Sequence, residues 1–328
     1  MKFTKRRTAV AGVVAVACVT LAAAASSDET TLPAPPEAGR YTLVLDSNGH
    51  ERVAHLHIPK GYAPASLPPL VLLLHGGGGG GLTALEKNGW AAKADQEGFI
   101  VVAPDGLGAA PNLPTNFGLN PAVWNSGQFA ADSPRAAIDD VAYFVQLLDE
   151  LKTKLPYDEK RVFCAGHSNG GGMAFRAAVE MPERLAAVGI VAGLIAVDDP
   201  TPKKALPALY ILGIKDPLIP IDGGEVATPW GKRVRKPIAE PLAKWAAAID
   251  CQTEPTLVSD AEGVRKMEYA SRSSSGSTLT VLYLEGQGHQ WPGGTASLPG
   301  SVMGPNASQF DATDAIWRFF RSATDSKE

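Results

Sequence analysis

The 328-residue sequence predicts an α/β fold: a mostly parallel, doubly wound sheet with an antiparallel hairpin at its N-terminal edge. Three observations lead there. Two strand-like runs, 41–45 and 52–58, flank Asp46-Ser47-Asn48-Gly49, a strong hairpin signal because Asn-Gly accepts the positive φ of a tight turn. Short apolar runs without polar alternation follow, as expected of strands buried on both faces of a parallel sheet. Between them lie segments with apolar residues at helical spacing, and strand–helix alternation winds helices over both sheet faces.

In chain order, residues 1–25 stand apart. Lys2, Lys5, Arg6 and Arg7 make a basic start, 8–25 is apolar, and Ala23-Ala24-Ala25 supplies small residues for cleavage before Ser26, which together describe an export signal. Ala15-Val16-Ala17-Cys18 raises lipoprotein anchoring through Cys18. Apolar residues continue after it where a polar tether is usual, so cleavage near Ala25 is favoured. Adjacent Arg6 and Arg7 leave the twin-arginine route open. Residues 26–39, rich in Pro, Ala and Glu without period, are expected to be a disordered tether.

One domain, 40–328, is expected to follow. Its buried strands are 70–74, 99–103, 162–165, 186–192, 209–212 and 279–284. Helices are expected at 85–96, 140–151, 172–179, 242–249 and 312–320; in the second, Val141, Phe144, Val145, Leu148 and Leu151 share one face. Residues 105–133 and 228–240 are too irregular for regular elements and are expected to form loops over a site. No second domain or internal repeat is visible, and after the N-terminal signal no stretch is apolar enough to span a bilayer.

Composition narrows the function classes. A net charge of −4 gives no basic footprint for nucleic acid, while 20% charged and 45% hydrophobic residues suit a globular core. The basic run Lys232-Arg233-Val234-Arg235-Lys236 is short and is expected to be a solvated face. Cys164, within a strand, is expected to be a small buried hydrophobe, and its pairing with Cys251 is left open. The histidines and cysteines lack metal-ligand spacing, so no metal is expected.

The chemistry centres on Gly166-His167-Ser168-Asn169-Gly170, set between a β-rich run and a helix-forming stretch. In that context a Gly-x-Ser-x-Gly pattern holds a serine on a strained turn at the end of a strand. A serine hydroxyl needs a base, and the base an orienting acid. Of six histidines, His50, His55 and His57 belong to the first hairpin, His75 ends a buried strand, and His167 lies inside the turn. His289 sits in a loop after the last strand, where a base can reach the serine. Asp216 follows strand 209–212 directly and is preferred over Asp198, Asp199 and Asp222 as the orienting acid. Asn169, next to the serine, offers one amide to an oxyanion. A second is expected from Gly76 or Gly77, in a run of six glycines at 76–81. No Lys-Ser/Thr follows that run, which argues against a phosphate cradle.

With these residues assembled, the chain resembles the secreted α/β-hydrolase esterases that include poly(3-hydroxybutyrate) depolymerases, feruloyl esterases and acetylxylan esterases. The likeness spans 41–320 and rests on His75-Gly76-Gly77, the segment 161–172, Asp216-Pro217 with Pro220, and Gly288-His289-Gln290-Trp291-Pro292-Gly293-Gly294. It implies an α/β-hydrolase fold, Ser168–Asp216–His289 as triad, Asn169 as oxyanion donor, and an acyl-enzyme route without cofactor. Soluble or oligomeric esters are expected substrates: polyhydroxyalkanoate oligomers, or feruloyl and acetyl esters of plant polysaccharide. Trp291, Trp124 and His167 are candidate substrate contacts, with Trp230 as a further aromatic wall. A prolyl-oligopeptidase-like peptidase and a catalytically inactive binding protein are the rival readings.

Overall fold

In the computed structural model, residues 36–273, 278–306 and 309–325 are described. The expected signal 1–25 and most of the tether 26–39 lie outside them. The chain opens with β1 (Gly39–Ser47) and β2 (His50–Ile58), paired antiparallel in register. Then follow β3 (Leu70–Leu74), α1 (Gly81–Lys87), α2 (Trp90–Glu97), β4 (Ile100–Pro104), α3 (Asp140–Lys154), β5 (Val162–His167) and α4 (Asn169–Glu180). The second half holds β6 (Ala187–Val191), β7 (Ala208–Gly213), β8 (Gly224–Thr228), β9 (Gly231–Arg235), α5 (Ala239–Ala248), β10 (Thr256–Ala261), β11 (Val264–Tyr269), β12 (Leu279–Leu284), α6 (Gly300–Met303) and α7 (Ala312–Asp325).

Among the described residues, ten strands form one sheet in the order β1-β2-β4-β3-β5-β6-β7-β12-β11-β10. The central run from β4 to β12 is parallel, and both flanks are antiparallel. Alternation within each strand divides the core in two. In β3, Leu70, Leu72 and Leu74 face the core that contains residues of α3, α4 and α5. Val71 and Leu73 face the one built with α1, α2 and α7. Val162 and Cys164 against Phe163 and Ala165 repeat the division in β5. Burial on both faces explains why these strands read as unbroken apolar runs. Among the described residues, no helix is long and apolar enough to cross a membrane.

The structure departs from the sequence expectation in three places. The helix expected at 85–96 is two helices, because Gly89 has φ +78° and breaks the run between α1 and α2. Residues 228–240 are not all irregular: β8 and β9 make a separate two-stranded hairpin, closed by the Thr228 hydroxyl donating to the Gly231 carbonyl. Its mostly exposed residues carry no apolar alternation to read. The β10–β11 hairpin is likewise largely exposed and has no counterpart in the sequence expectation. Cys164 and Cys251 are both buried and unbonded to each other.

Candidate active site

The elbow is assembled by close packing of backbone. Ser168 sits between β5 and α4 at φ 54°, ψ −118°, a region that costs a non-glycine residue about 1–3 kcal/mol. Its N–H donates to the Val191 carbonyl (2.8 Å), and its carbonyl accepts from Gly172 N–H (2.9 Å). The flanking glycines answer a steric need. A Cβ on Gly166 would overlap the Gly170 carbonyl oxygen, and one on Gly170 would overlap the carbonyl oxygens of Leu74 and His75. Any side chain at either position would therefore push α4 off the sheet.

Two loops at the carboxyl ends of neighbouring strands bring the partners in. Asp216 follows β7, with its side chain fully buried. Its Oδ1 accepts the amides of Leu218 and Ile219, each at 2.8 Å. Oδ2 lies 2.7 Å from His289 Nδ1. His289, 2% exposed, follows β12, and its Nε2 is 2.7 Å from Ser168 Oγ. A carboxylate only accepts, so Nδ1 carries the hydrogen and Nε2 is left to accept from the serine hydroxyl. The His289 backbone is pinned on both sides: its N–H donates to Met303 (2.6 Å), and its carbonyl accepts from His167 Nε2 (2.7 Å). The structure thus brings Ser168, Asp216 and His289 into one hydrogen-bonded chain.

Electrostatics reinforce the geometry. Burial pushes the Asp216 carboxyl up, but the His289 ring and the Leu218 and Ile219 amides outweigh it and hold the carboxyl below its ordinary value. His167 is lowered to about 4, first by burial and then by the neighbouring His289, so it remains a neutral donor. Burial also lowers His75. His75 donates from Nδ1 to the Gly76 carbonyl (2.7 Å) and accepts the Gly106 amide at Nε2 (2.9 Å), so it serves the loop's shape.

The glycine loop faces the serine. An added Cβ on Gly76 would lie 3.3 Å from Ser168 Cβ. Gly78 donates to Ala122, Gly79 to Gly76, and Gly81 to Asp105. Among the described residues, the Gly76 and Gly77 amides have no such acceptor. Asn169 is the first residue of α4, so its N–H has no intrahelical partner either. Such free amides beside a base-activated hydroxyl can stabilise the oxyanion formed when that hydroxyl attacks a carbonyl carbon. Among the described residues, no three His, Cys, Asp or Glu side chains converge as a metal site.

Two of the expected substrate contacts, Trp291 and Trp124, need correction. Trp291 is 4% exposed, packs edge-on against Trp90 and donates its indole N–H to Thr313 Oγ1 (3.0 Å). Trp124 is fully buried against Phe144 and donates to the His75 carbonyl (3.0 Å). Both rings are core. His167 is half-buried: it donates Nε2–H to the His289 carbonyl, and its Nδ1 would lie 3.2 Å from a Cβ on Gly76, beside Ser168. The aromatic ring on the glycine loop is Trp230, at the β8–β9 turn: it would meet a Cβ on Gly77 at 3.3 Å and packs against Phe117. Missing from the sequence expectation altogether is the side chain of Asn169, whose carboxamide is bound to the backbone of Trp124.

Comparison with known proteins agrees with this architecture. The model of the alpha/beta hydrolase family matches residues 71–319. The Nocardia uniformis subsp. tsuyamanensis protein named "Putative esterase NocK" is 30% identical over 288 residues, 83% of this chain and 79% of that protein. "Probable feruloyl esterase C" of Aspergillus niger is 30% identical over 86 residues, 26% of this chain and 32% of its own length. Among solved structures, the acetyl xylan esterase from Aspergillus awamori superposes with a TM-score of 0.56 at 14% identity, covering 87% of this chain and 99% of that one, a likeness of fold. The chain belongs to the alpha/beta hydrolase family.

Proposed function

We propose that this protein is an exported serine carboxylic-ester hydrolase that works through an acyl-enzyme intermediate. The observation that carries the proposal is the unbroken chain Ser168 Oγ–His289 Nε2 and His289 Nδ1–Asp216 Oδ2, at 2.7 Å and 2.7 Å. Ser168 attacks the ester carbonyl as His289 takes its proton. The amides of Asn169 and of Gly76 or Gly77 hold the oxyanion, and His289 then protonates the leaving alcohol. Deacylation repeats the sequence with water as nucleophile, and no cofactor enters.

Feruloyl or acetyl esters of plant polysaccharide are the proposed substrates, with hydroxyalkanoate oligomers as the alternative. Relatives named as feruloyl and acetylxylan esterases support the first. Trp230 and Phe117 beside the glycine loop would suit a flat or apolar acyl group.

Two experiments test the proposal. A fluorophosphonate probe is expected to label the wild type and not Ser168→Ala, whose hydrolysis of short-chain aryl esters falls by orders of magnitude; full activity in that variant refutes the mechanism. A panel of methyl ferulate, acetylated xylan and hydroxybutyrate oligomers separates the substrates. Export is tested by N-terminal sequencing of protein recovered outside the cytoplasm, expected to begin at Ser26. Retention of Cys18 with incorporated fatty acid would replace that route with lipid anchoring.

A further inference from the structure

The structure assigns Trp124 a positioning role: one residue holds both halves of the oxyanion hole in register. This rests on the serine-hydrolase reading above. The two proposed donors come from different parts of the chain, Gly76 or Gly77 after β3 and Asn169 at the start of α4. Trp124 is tied to the Gly76 amide on one side and to Asn169 on the other. Its indole Nε1–H donates to the His75 carbonyl at 3.0 Å. That oxygen and the Gly76 N–H belong to a single planar peptide, so pinning the oxygen sets the direction of the hydrogen. On the other side, the Trp124 N–H donates to Asn169 Oδ1 (2.6 Å), and Asn169 Nδ2 donates back to the Trp124 carbonyl (2.9 Å). This two-bond clamp fixes the residue whose own amide is the second donor.

Trp124 is itself held rigidly. Its ring is fully buried, 4.9 Å from the His75 ring and 5.3 Å from Phe144. The preceding carbonyl, of Val123, accepts from Arg135 Nε (3.2 Å) and Nη2 (2.7 Å). The following amide, of Asn125, donates to Asp140 (2.7 Å), which also pairs with Arg135 and Arg52. These three charged side chains are buried, so the network is costly to break. It anchors residues 123–125 on the N-terminus of α3, and Trp124 passes that fixed position to both donors. A buried tryptophan needed only for packing would not require this arrangement of bonds on its indole, N–H and carbonyl.

The test compares Trp124→Phe, which keeps a packed ring and removes the indole donor, with Asn169→Ala, which removes the clamp. Trp245→Phe is the control, because Trp245 is 1% exposed and its indole nitrogen has no hydrogen-bond partner among the described residues. Each variant is assayed on an aryl ester and on the matching aryl thionoester. A thiocarbonyl sulfur accepts hydrogen bonds weakly, so a damaged oxyanion hole penalises the ester more. Both test variants are expected to lose about ten- to a hundredfold in kcat/KM on the ester, and the ester-to-thionoester ratio is expected to fall severalfold. Trp245→Phe should leave that ratio unchanged. An unchanged ratio in Asn169→Ala, or in a folded Trp124→Phe, overturns the assignment even if the melting temperature drops. A wild type that neither hydrolyses the ester nor takes the fluorophosphonate refutes the underlying serine-hydrolase reading instead.

Discussion

Replacing Asp216 with asparagine isolates the role of one oxygen. The two carboxylate oxygens have separate tasks: Oδ1 accepts two backbone amides, and Oδ2 faces His289 Nδ1 at 2.7 Å. Asparagine has one acceptor atom, and the Leu218 and Ile219 amides require it to stay where Oδ1 is. Its NH2 group then faces Nδ1. A donor there demands a lone pair on Nδ1, which moves the imidazole hydrogen to Nε2, toward Ser168. The ring cannot turn away easily, because His289 is buried and its backbone is tied to Met303 and His167. Nε2–H cannot accept the serine proton, and losing the correct tautomer costs on the order of 10⁴-fold in kcat. Stability should change little, since both amides keep their acceptor.

Asp216→Ala predicts the opposite balance. It leaves those amides unpaired at about 1–3 kcal/mol for each one buried, while His289 regains a free choice of tautomer. The assays are kcat/KM on an aryl ester near neutral pH and thermal melting of both variants. Asparagine should give the poorer catalyst and the more stable protein. Retention of more than about a tenth of wild-type activity by Asp216→Asn would falsify the tautomer reasoning. So would a melting temperature as low as that of Asp216→Ala.

Three other predictions follow from the site. Gly170→Ala drives a Cβ into the carbonyls of Leu74 and His75 and should cost about 3 kcal/mol or abolish soluble protein, while Gly300→Ala, with open space around it, should not; soluble yield and melting temperature decide. Because His167 is lowered to about 4, the unfolded chain takes a proton that the fold refuses between roughly pH 6.5 and 4, so stability falls as pH falls through that window. The loss has a ceiling of about 3 kcal/mol because His167 is partly exposed, and urea titrations should show a shallower decline in His167→Gln. Trp230→Ala should raise KM for bulky acyl esters and leave melting nearly unchanged, whereas Trp291→Ala should cost about 3–5 kcal/mol of stability; the reverse pattern contradicts the placement of the two rings.

Most of the sheet was legible because its strands are buried on both faces. Residues 70–74 and 279–284 match β3 and β12, where a short run of mainly apolar, β-favouring residues suits a strand covered on both faces. The order of Ser168, Asp216 and His289 was legible too, since each follows the carboxyl end of such a strand. What escaped were elements with no core face. Strand β9 carries Lys232, Arg233 and Arg235, and β10 is exposed throughout, so neither has a buried side to imprint a period on the sequence. The clamp from Asn169 to Trp124 escaped for another reason. It joins residues 45 apart through backbone atoms at 124, which every residue type except proline carries.

The aromatic residues show why nearness in sequence misleads about a site. Trp291 is two residues from His289, yet His289 is itself buried, and the chain leaving it must enter the core beneath the site. That core already holds Trp90, Phe99 and Trp317, so another ring finds packing partners there and Thr313 for its N–H. Trp230 lies 62 residues from Ser168 and had weaker sequence support. It stands on a hairpin that is largely exposed, and its ring rests on Gly77 and Gly78 instead of a core. Packed against Phe117 and donating its indole N–H to the Phe117 carbonyl (2.8 Å), this half-buried ring is placed to meet substrate on the proposed function. On that reading, specificity would belong to the β8–β9 hairpin, which is a sheet of its own, while Trp124 and Trp291 pack in the core.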